Sequence, residues 1–498
     1  VTAFVILAAG PGTRMGRPGD TLHKALVPLG SQAVISRQIG LAPPGARVIV
    51  CTGSRAQQVR GYLELAHPDL PVTFVNVPDW DQPENGPGAS LLAARDAING
   101  DDLVFTACDT LWRADESLWK ADASWSAVAP VPAGTPLARW CRIGVFDGDR
   151  AWGILDKIPD YAGAGDAYTG LSMILRGDLG VFWAGIENSG LSGGEKRDVA
   201  GLAALTMNGA LAVRRITWTD TGDEAAYQRA VAAWSGYDWS KPDEVTYVLP
   251  EQGRVVKFRA DQGSVTRRVQ RQATIAAAVP VLTGTRPGLF AYEYVSGVTG
   301  YTAAESDPEL VPRLLDWAQA NLWRPVSFAD DLTRTCDLFY RVKTTARTGQ
   351  LRPGLQPAAW DAASHVDWDK LVRGCVPVTF HGDFNLGNVI VMPDGGFRGI
   401  DWREDFGGNT TWGDLRYDLG KLAAGLIVHW ENAQRGDFRP WEAGKQHLAR
   451  LADWLGGTIP HDVMLIAALS LLNCAPLHAA PLDEILVVRA IALLEELA

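Results

Sequence analysis

The run Leu7-Ala8-Ala9-Gly10-Pro11-Gly12-Thr13-Arg14-Met15 limits the possible folds of this chain more than any other feature. An apolar stretch, residues 3–8 (AFVILA), enters a glycine-rich turn. A buried strand that ends in such a turn lets backbone N–H groups approach an anion with no Cβ in the way. Further apolar runs at 47–51, 72–77 and 103–107 read as buried strands bounded by Gly, Pro or Asp. Helical patterns lie between them, around 31–41, 55–66 and 88–98. Strand–helix alternation of this kind predicts an α/β unit, a mainly parallel sheet with helices on both faces.

That unit cannot occupy the whole chain. At 498 residues two domains of roughly 200–260 residues are expected. The polar stretch 235–244 (SGYDWSKPDE) has no periodicity and places the boundary, giving domains 1–237 and 238–498. Beyond it, Glu244–Leu249 and Arg254–Arg259 read as an antiparallel pair joined by a turn at 251–253. From about 308 the pattern is mainly helical, interrupted by strand–loop–strand at 376–401, so this half is α+β.

The formal net charge of −11 excludes a surface built to track nucleic acid or anionic lipid. Six cysteines without a CxxC pair suggest neither a zinc site nor a disulfide framework, so a reducing, cytoplasmic setting is expected. No signal peptide is visible, the chain starts at Val1 as if an initiator methionine had been removed, and the apolar stretch 464–472 is too short to span a bilayer. Nineteen tryptophans serve mainly as core, with a few available to line a pocket for a cation.

In the first half, Ala8, Ala9, Gly10, Gly12, Thr13 and Arg14 are the candidate nucleotide-binding residues. Arg14 can neutralise a triphosphate, and Lys24, in HKALVPL, can sit on the phosphorus under attack. The run with its downstream lysine resembles the sugar-phosphate nucleotidyltransferase superfamily over residues 1–235, and phosphocholine cytidylyltransferases within it. The resemblance implies a Rossmann-like fold and Mg²⁺ held between two aspartates. The matching residues are Asp109, after LVFTAC, and Asp220, which has Asp223 as a competing neighbour. Lys157 resembles the lysine that holds the acceptor's phosphate, and Gly170, in Thr169-Gly170-Leu171, the loop beneath it.

In the second half, His381-Gly382-Asp383-Phe384-Asn385-Leu386-Gly387-Asn388 precedes Ile400-Asp401-Trp402. An Asp, an Asn five residues on, and a second Asp after a hairpin is the spacing of kinase catalytic loops. Asp383 would accept or orient the substrate hydroxyl's proton, and Asn388 and Asp401 would hold Mg²⁺. With HGD at its head, the run resembles the aminoglycoside phosphotransferase and choline kinase group, a protein-kinase-like two-lobed fold, over 240–498. Lys257 then matches the phosphate-binding strand lysine, and Glu293 and Val295 the hinge that meets adenine. Gln272 stands where that group has a helix glutamate. Trp402, Glu404, Asp405 and Trp412 suit a cationic amine, or equally sugar hydroxyls or a helix cap.

A kinase makes a phosphomonoester and a nucleotidyltransferase consumes one. The pair therefore implies consecutive activation with ATP and then CTP or another NTP. The favoured acceptor is a choline-like amino alcohol, activated for surface glycan or lipid decoration. The alternatives are a sugar anomeric kinase fused to a sugar-1-phosphate nucleotidyltransferase, or a nucleotidyltransferase regulated by a pseudokinase.

Overall fold

A computed structural model of the chain describes residues 1–16, 20–113, 116–131, 135–146, 149–157, 165–191, 194–234, 243–326 and 331–497. The expected boundary segment, 235–242 of it, lies outside the described residues. The chain divides into two compact units: residues 1–261 with 284–291, and 262–283 with 292–498.

The first unit is built on a nine-stranded sheet. Its centre is parallel: Thr2–Ala8 lies between Arg47–Thr52 and Asp102–Ala107, and Val72–Asn76 pairs with Arg47–Thr52. Strand Asp166–Ile174 joins antiparallel to Asp102–Ala107 and extends the sheet towards Cys141–Val145 and Ala151–Asp156. Alternation along the central strand sets two cores, one on each face. Phe4, Ile6 and Ala8 pack on one side, and Ala3 and Val5 on the other, as a strand buried on both faces requires. Helices Ala56–Ala66 and Pro87–Ile98 connect the parallel strands. The expected elements here stand within a few residues of their observed ends, because apolar runs between Gly, Pro and Asp leave little choice of register.

Antiparallel strands Glu244–Leu249 and Arg254–Arg259 also belong to this unit. Tyr247 packs edge-on against Tyr62, with ring centroids 4.7 Å apart, and its hydroxyl donates to the Leu26 carbonyl.

The second unit is mainly helical. Helix Leu415–Ile427 is buried along nearly its whole length, between Glu442–Trp454 and His461–Cys474. His461–Cys474, in turn, packs on Leu482–Leu497. A small hairpin, Val389–Val391 with Phe397–Gly399, closes the catalytic-loop region. Among the described residues no helix is long and apolar enough to cross a membrane.

Candidate active sites

In the first unit the glycine turn leaves the end of strand Thr2–Ala8 and is closed by a bond from Met15 N–H to the Gly12 carbonyl, 3.1 Å. Gly12 has φ of 67°, a left-handed conformation open to glycine at little cost. Met15 is fully buried and anchors the turn, while Thr13 and Arg14 stay exposed.

Below the turn, Lys24 Nζ pairs with Asp109 Oδ2 at 2.9 Å. Asp109 follows strand Asp102–Ala107, and its carbonyl accepts from the Thr221 backbone at 2.9 Å. That bond brings in Asp220, at the end of Thr217–Asp220, whose Oδ1 accepts from Gly222 N–H at 2.9 Å. The two carboxylates converge on Gly222: a Cβ placed there would sit 3.0 Å from an oxygen of each. Burial opposes ionisation of both. For Asp109 the Lys24 ammonium wins and holds the carboxyl below its usual range. For Asp220 burial and then the negative Asp109 push it up. The Arg14 charge acts on Lys24, Asp109 and Asp220 alike.

Asp223 is otherwise engaged. It caps helix Glu224–Ala233 through Ala226 N–H and pairs with Arg139, so Asp220 is the carboxylate beside Asp109. Among the described residues no three His, Cys, Asp or Glu side chains converge as a ready metal cage. Two adjacent oxygen donors, one discouraged from ionising by the other, fit a hard cation that takes its remaining ligands from phosphate and water. Gly170 lies on strand Asp166–Ile174 beside Ala107, rather than on a loop. Lys157 follows strand Ala151–Asp156, exposed, with φ of 55°.

In the second unit the loop 381–388 presents Asp383. Asn388 Nδ2 donates to Asp383 Oδ2 at 2.9 Å, which leaves the Asn388 amide oxygen free of that bond as an acceptor. Asp401 has φ of 60°, a left-handed conformation that Asp and Asn tolerate better than other L-residues. Gly382, at φ of 86°, has room for no Cβ: one would stand 2.6 Å from Arg403 Cβ.

Several side chains that the sequence did not single out hold this loop. Asp418, on helix Leu415–Ile427, accepts from the backbone N–H groups of His381 and Gly382, each at 2.7 Å, and from Trp323 Nε1 at 3.0 Å. One turn on, Lys421 Nζ reaches Asp383 Oδ1 at 2.8 Å. Burial opposes ionisation of Asp383, but Lys421 outweighs it and holds the carboxyl far below its usual range. The 418/421 spacing puts both on one helix face, the one signal from which they could have been found. On helix Gln262–Thr274, Arg268 donates to the Trp402 carbonyl, and buried Arg271 to the carbonyls of Phe380, His381 and Arg403. Gln272 donates to the Pro280 carbonyl at 3.3 Å. The helix is thus tied to the catalytic loop by arginines at 268 and 271.

The acceptor residues expected after Asp401 are placed differently. Trp402 and Trp412 are each only 1% exposed, and Trp402 Nε1 donates to the Arg268 carbonyl. Glu404 pairs with Arg268 at 2.9 Å, and Asp405 with Arg267 at 3.3 Å. The two indoles are packed in the core and the two carboxylates are ion-paired with arginines. An indole beside carboxylates is equally a core ring beside arginine partners, and the sequence does not show which side the arginines approach from. Glu293 is exposed at the end of Leu289–Glu293 with Val295 partly exposed after it, and Lys257 lies in the first unit on Arg254–Arg259, 1% exposed.

Comparison with known proteins finds two families along the chain. Residues 4–142 match the MobA-like NTP transferase domain, and residues 251–461 match the phosphotransferase enzyme family. No curated protein matches the chain. Among solved structures it is similar to a putative glucose-1-phosphate thymidylyltransferase from Bacillus anthracis, at 16% identity and TM-score 0.41, covering 49% of this chain and 98% of that one. It is also similar to a UDP-glucose pyrophosphorylase from Acinetobacter baumannii, at 18% identity and TM-score 0.39, covering 47% and 93%. The UTP-bound form of that protein gives 17% and 0.40, with the same coverage.

Proposed function

We propose that the two activities of this bifunctional chain act in succession on one small molecule: phosphoryl transfer by its phosphotransferase-family domain, then nucleotidyl transfer by its MobA-like NTP transferase domain. The proposal is supported by groups suited to phosphate chemistry standing together in each half. One set is Lys24, Asp109 and Asp220 below the glycine turn; the other is Asp383, Asn388 and Asp401 around the HGD loop. The chemical boundary between the halves is proposed near 237.

In the first step the acceptor hydroxyl oxygen attacks the γ-phosphorus of ATP and ADP departs. Asp383, kept ionised by Lys421, orients that hydroxyl by accepting its hydrogen bond. Lys257 is proposed for the ATP phosphates, and Glu293 and Val295 for adenine. In the second step an oxygen of the new phosphomonoester attacks the α-phosphorus of an NTP and pyrophosphate departs. Arg14 and Lys24 neutralise the charge that gathers there, and Lys157 and Gly170 are proposed to seat the phosphomonoester. Little covalent work falls to the protein, so position and charge carry both steps. Asp109 with Asp220, and Asn388 with Asp401, are the residues that would hold Mg²⁺. Bound there, the ion would neutralise phosphate oxygens and fix their orientation.

The resemblance to phosphocholine cytidylyltransferases favours CTP, and a product used as an activated donor for surface decoration in the cytoplasm. The same resemblance, with that to choline kinases, supports an amino-alcohol acceptor, while the burial of Trp402 and Trp412 and the ion pairs of Glu404 and Asp405 count against those four side chains as its pocket. The full chain should be incubated with ATP, Mg²⁺ and an acceptor panel, with and without each NTP, and read by mass spectrometry. A phosphorylated acceptor should accumulate without NTP and become the nucleotide-linked product, with pyrophosphate, when the right NTP is added. If no NTP consumed the phosphorylated acceptor, succession would be excluded.

A further inference from the structure

Two cations, Lys421 and Arg403, act on the candidate catalytic carboxylate of the second unit, Asp383, and a third, Lys343, feels both of them. Lys421 Nζ lies 2.8 Å from Asp383 Oδ1, with its side chain 8% exposed. Lys343 Nζ lies 4.0 Å over the Phe339 ring and 5.5 Å from the Tyr417 ring, and the Arg403 guanidinium lies 5.1 Å from the same Phe339 ring. The phenylalanine is therefore a floor shared by two positive groups. Arg403 has carboxylate neighbours in Glu404, Asp405 and Asp383. Among the described residues Lys343 makes no ion pair, and the positive charges of Arg403, Lys421 and Arg347 act on it, opposed by the Cys474 thiol. Burial, with those like charges, pushes its ammonium well below the usual range.

The backbone adds a second, independent mark. Leu338–Val342, immediately before Lys343, forms one π-helical turn within an otherwise α-helical stretch from Leu332 to Thr348. Such turns are rare insertions in α-helices and are frequent at functional sites. This one sets Phe339 and Lys343 together at the site. A cation held among cations and rings, at a position made by a rare turn, is a group waiting for an anion.

We propose that the hydroxylated acceptor of the phosphotransferase half is itself an anion, whose carboxylate or phosphate is received by Lys343 with Arg403 beside it, next to Asp383. This deepens the kinase reading given above and rests on it. With such an acceptor the step is unchanged in balance. The hydroxyl oxygen bonds to the γ-phosphorus, the bond from that phosphorus to the ADP oxygen breaks, and the hydroxyl proton passes by way of Asp383 to solvent. The second charge on the acceptor does not react. It positions the hydroxyl, and it excludes amines, which the same three cations repel.

The test separates anion binding from turnover. Calorimetric titrations of the full chain, saturated with Mg²⁺ and ADP, would use D-glycerate as the carboxylate probe, glycerol 3-phosphate as the phosphate probe, and glycerol and choline as uncharged and cationic controls. At least one anion should bind saturably while glycerol and choline do not, and the anion that binds names the headgroup. Lys343→Met should weaken that binding about tenfold or more, the worth of a charge-assisted contact, and Lys343→Arg should restore most of it. Because Lys343→Met removes a buried charge, loss of fold is not its expected consequence, and circular dichroism checks this. Absence of saturable anion binding in the unsubstituted chain, binding unchanged by Lys343→Met, or choline bound better than either anion would each overturn the proposal. ATP turnover on the same panel is read separately. No turnover of any alcohol alongside Lys343-dependent anion binding would remove the kinase reading but not the anion site.

Discussion

Replacing Gly222 with alanine adds one methyl group where Asp109 and Asp220 meet. The new carbon would lie 3.0 Å from Asp109 Oδ2 and 3.0 Å from Asp220 Oδ1. Carbon–oxygen approaches in proteins settle at about 3.3–3.6 Å, so each carboxylate must retreat by a few tenths of an ångström. The backbone at 222 is not left-handed, so alanine brings no strain of its own. The change is therefore confined to the spacing of two oxygen donors. Metal–ligand distances tolerate about 0.2 Å, and a 1 Å displacement of catalytic groups costs roughly a hundredfold. A loss on the order of tenfold in kcat for nucleotidyl transfer follows from those two limits. The assay is pyrophosphate release from NTP with the phosphorylated acceptor supplied, run beside ATP turnover by the same preparation. Gly222→Ala should lower the first and leave the second unchanged. A folded variant that released pyrophosphate at the unsubstituted rate would refute the two-carboxylate site. An equal fall in both activities would refute the independence of the halves.

Arg271→Met should cost roughly 3 kcal/mol or more, because two buried carbonyls and a part-buried one lose their guanidinium partner; denaturant titration should show it, and ATP turnover should suffer more than nucleotidyl transfer. Asp418→Asn keeps the shape but loses the second carboxylate oxygen that accepts from the 381–382 backbone; it should lower kcat for phosphorylation about tenfold or more, while the KM for the NTP of the other half stays constant. His23 is 1% exposed, and burial, with Lys24 and Arg55 nearby, lowers its pKa to about 3. The folded chain keeps this ring neutral while the unfolded chain protonates it near 6.5. Stability is therefore present above pH 6.5 and is lost as pH falls towards 3, by up to about 1.4 kcal/mol per pH unit. Urea titrations at pH 7 and pH 5 should show this slope, and His23→Asn should flatten it.

The strands of the first unit were legible because each is a short apolar run stopped by Gly, Pro or Asp, and a strand buried on both faces has no other pattern to offer. Lys24 was singled out by its motif, and Asp109 and Asp220 by the family resemblance; the structure brings Lys24 to Asp109 and both carboxylates to Gly222. Asp223 could not be separated from Asp220 until its cap on Ala226 and its pair with Arg139 were seen. The supports of the kinase loop were the hardest to read. Arg268 and Arg271 look like solvent-facing helix residues in sequence, and only the packing shows their guanidinium groups turned inward onto carbonyls. Lys343 was hidden by its π-helical turn, which breaks the spacing by which a helix face is recognised. The burial of Trp402 and Trp412 was not legible, because ring and carboxylate types alone do not tell a pocket from a core.

The central claim is that one chain holds two chemically independent sites acting in succession. Its most direct test is a pair of variants assayed for both activities: Asp383→Asn, facing Lys421, and Asp109→Asn, facing Lys24. Asp383→Asn should abolish ATP-dependent phosphorylation and leave nucleotidyl transfer to supplied phosphomonoester nearly intact, and Asp109→Asn should do the reverse. Mixed in equal amounts, the two should recover the full conversion that neither performs alone. Loss of both activities in either folded variant, or a mixture that makes no nucleotide-linked product, would contradict the account.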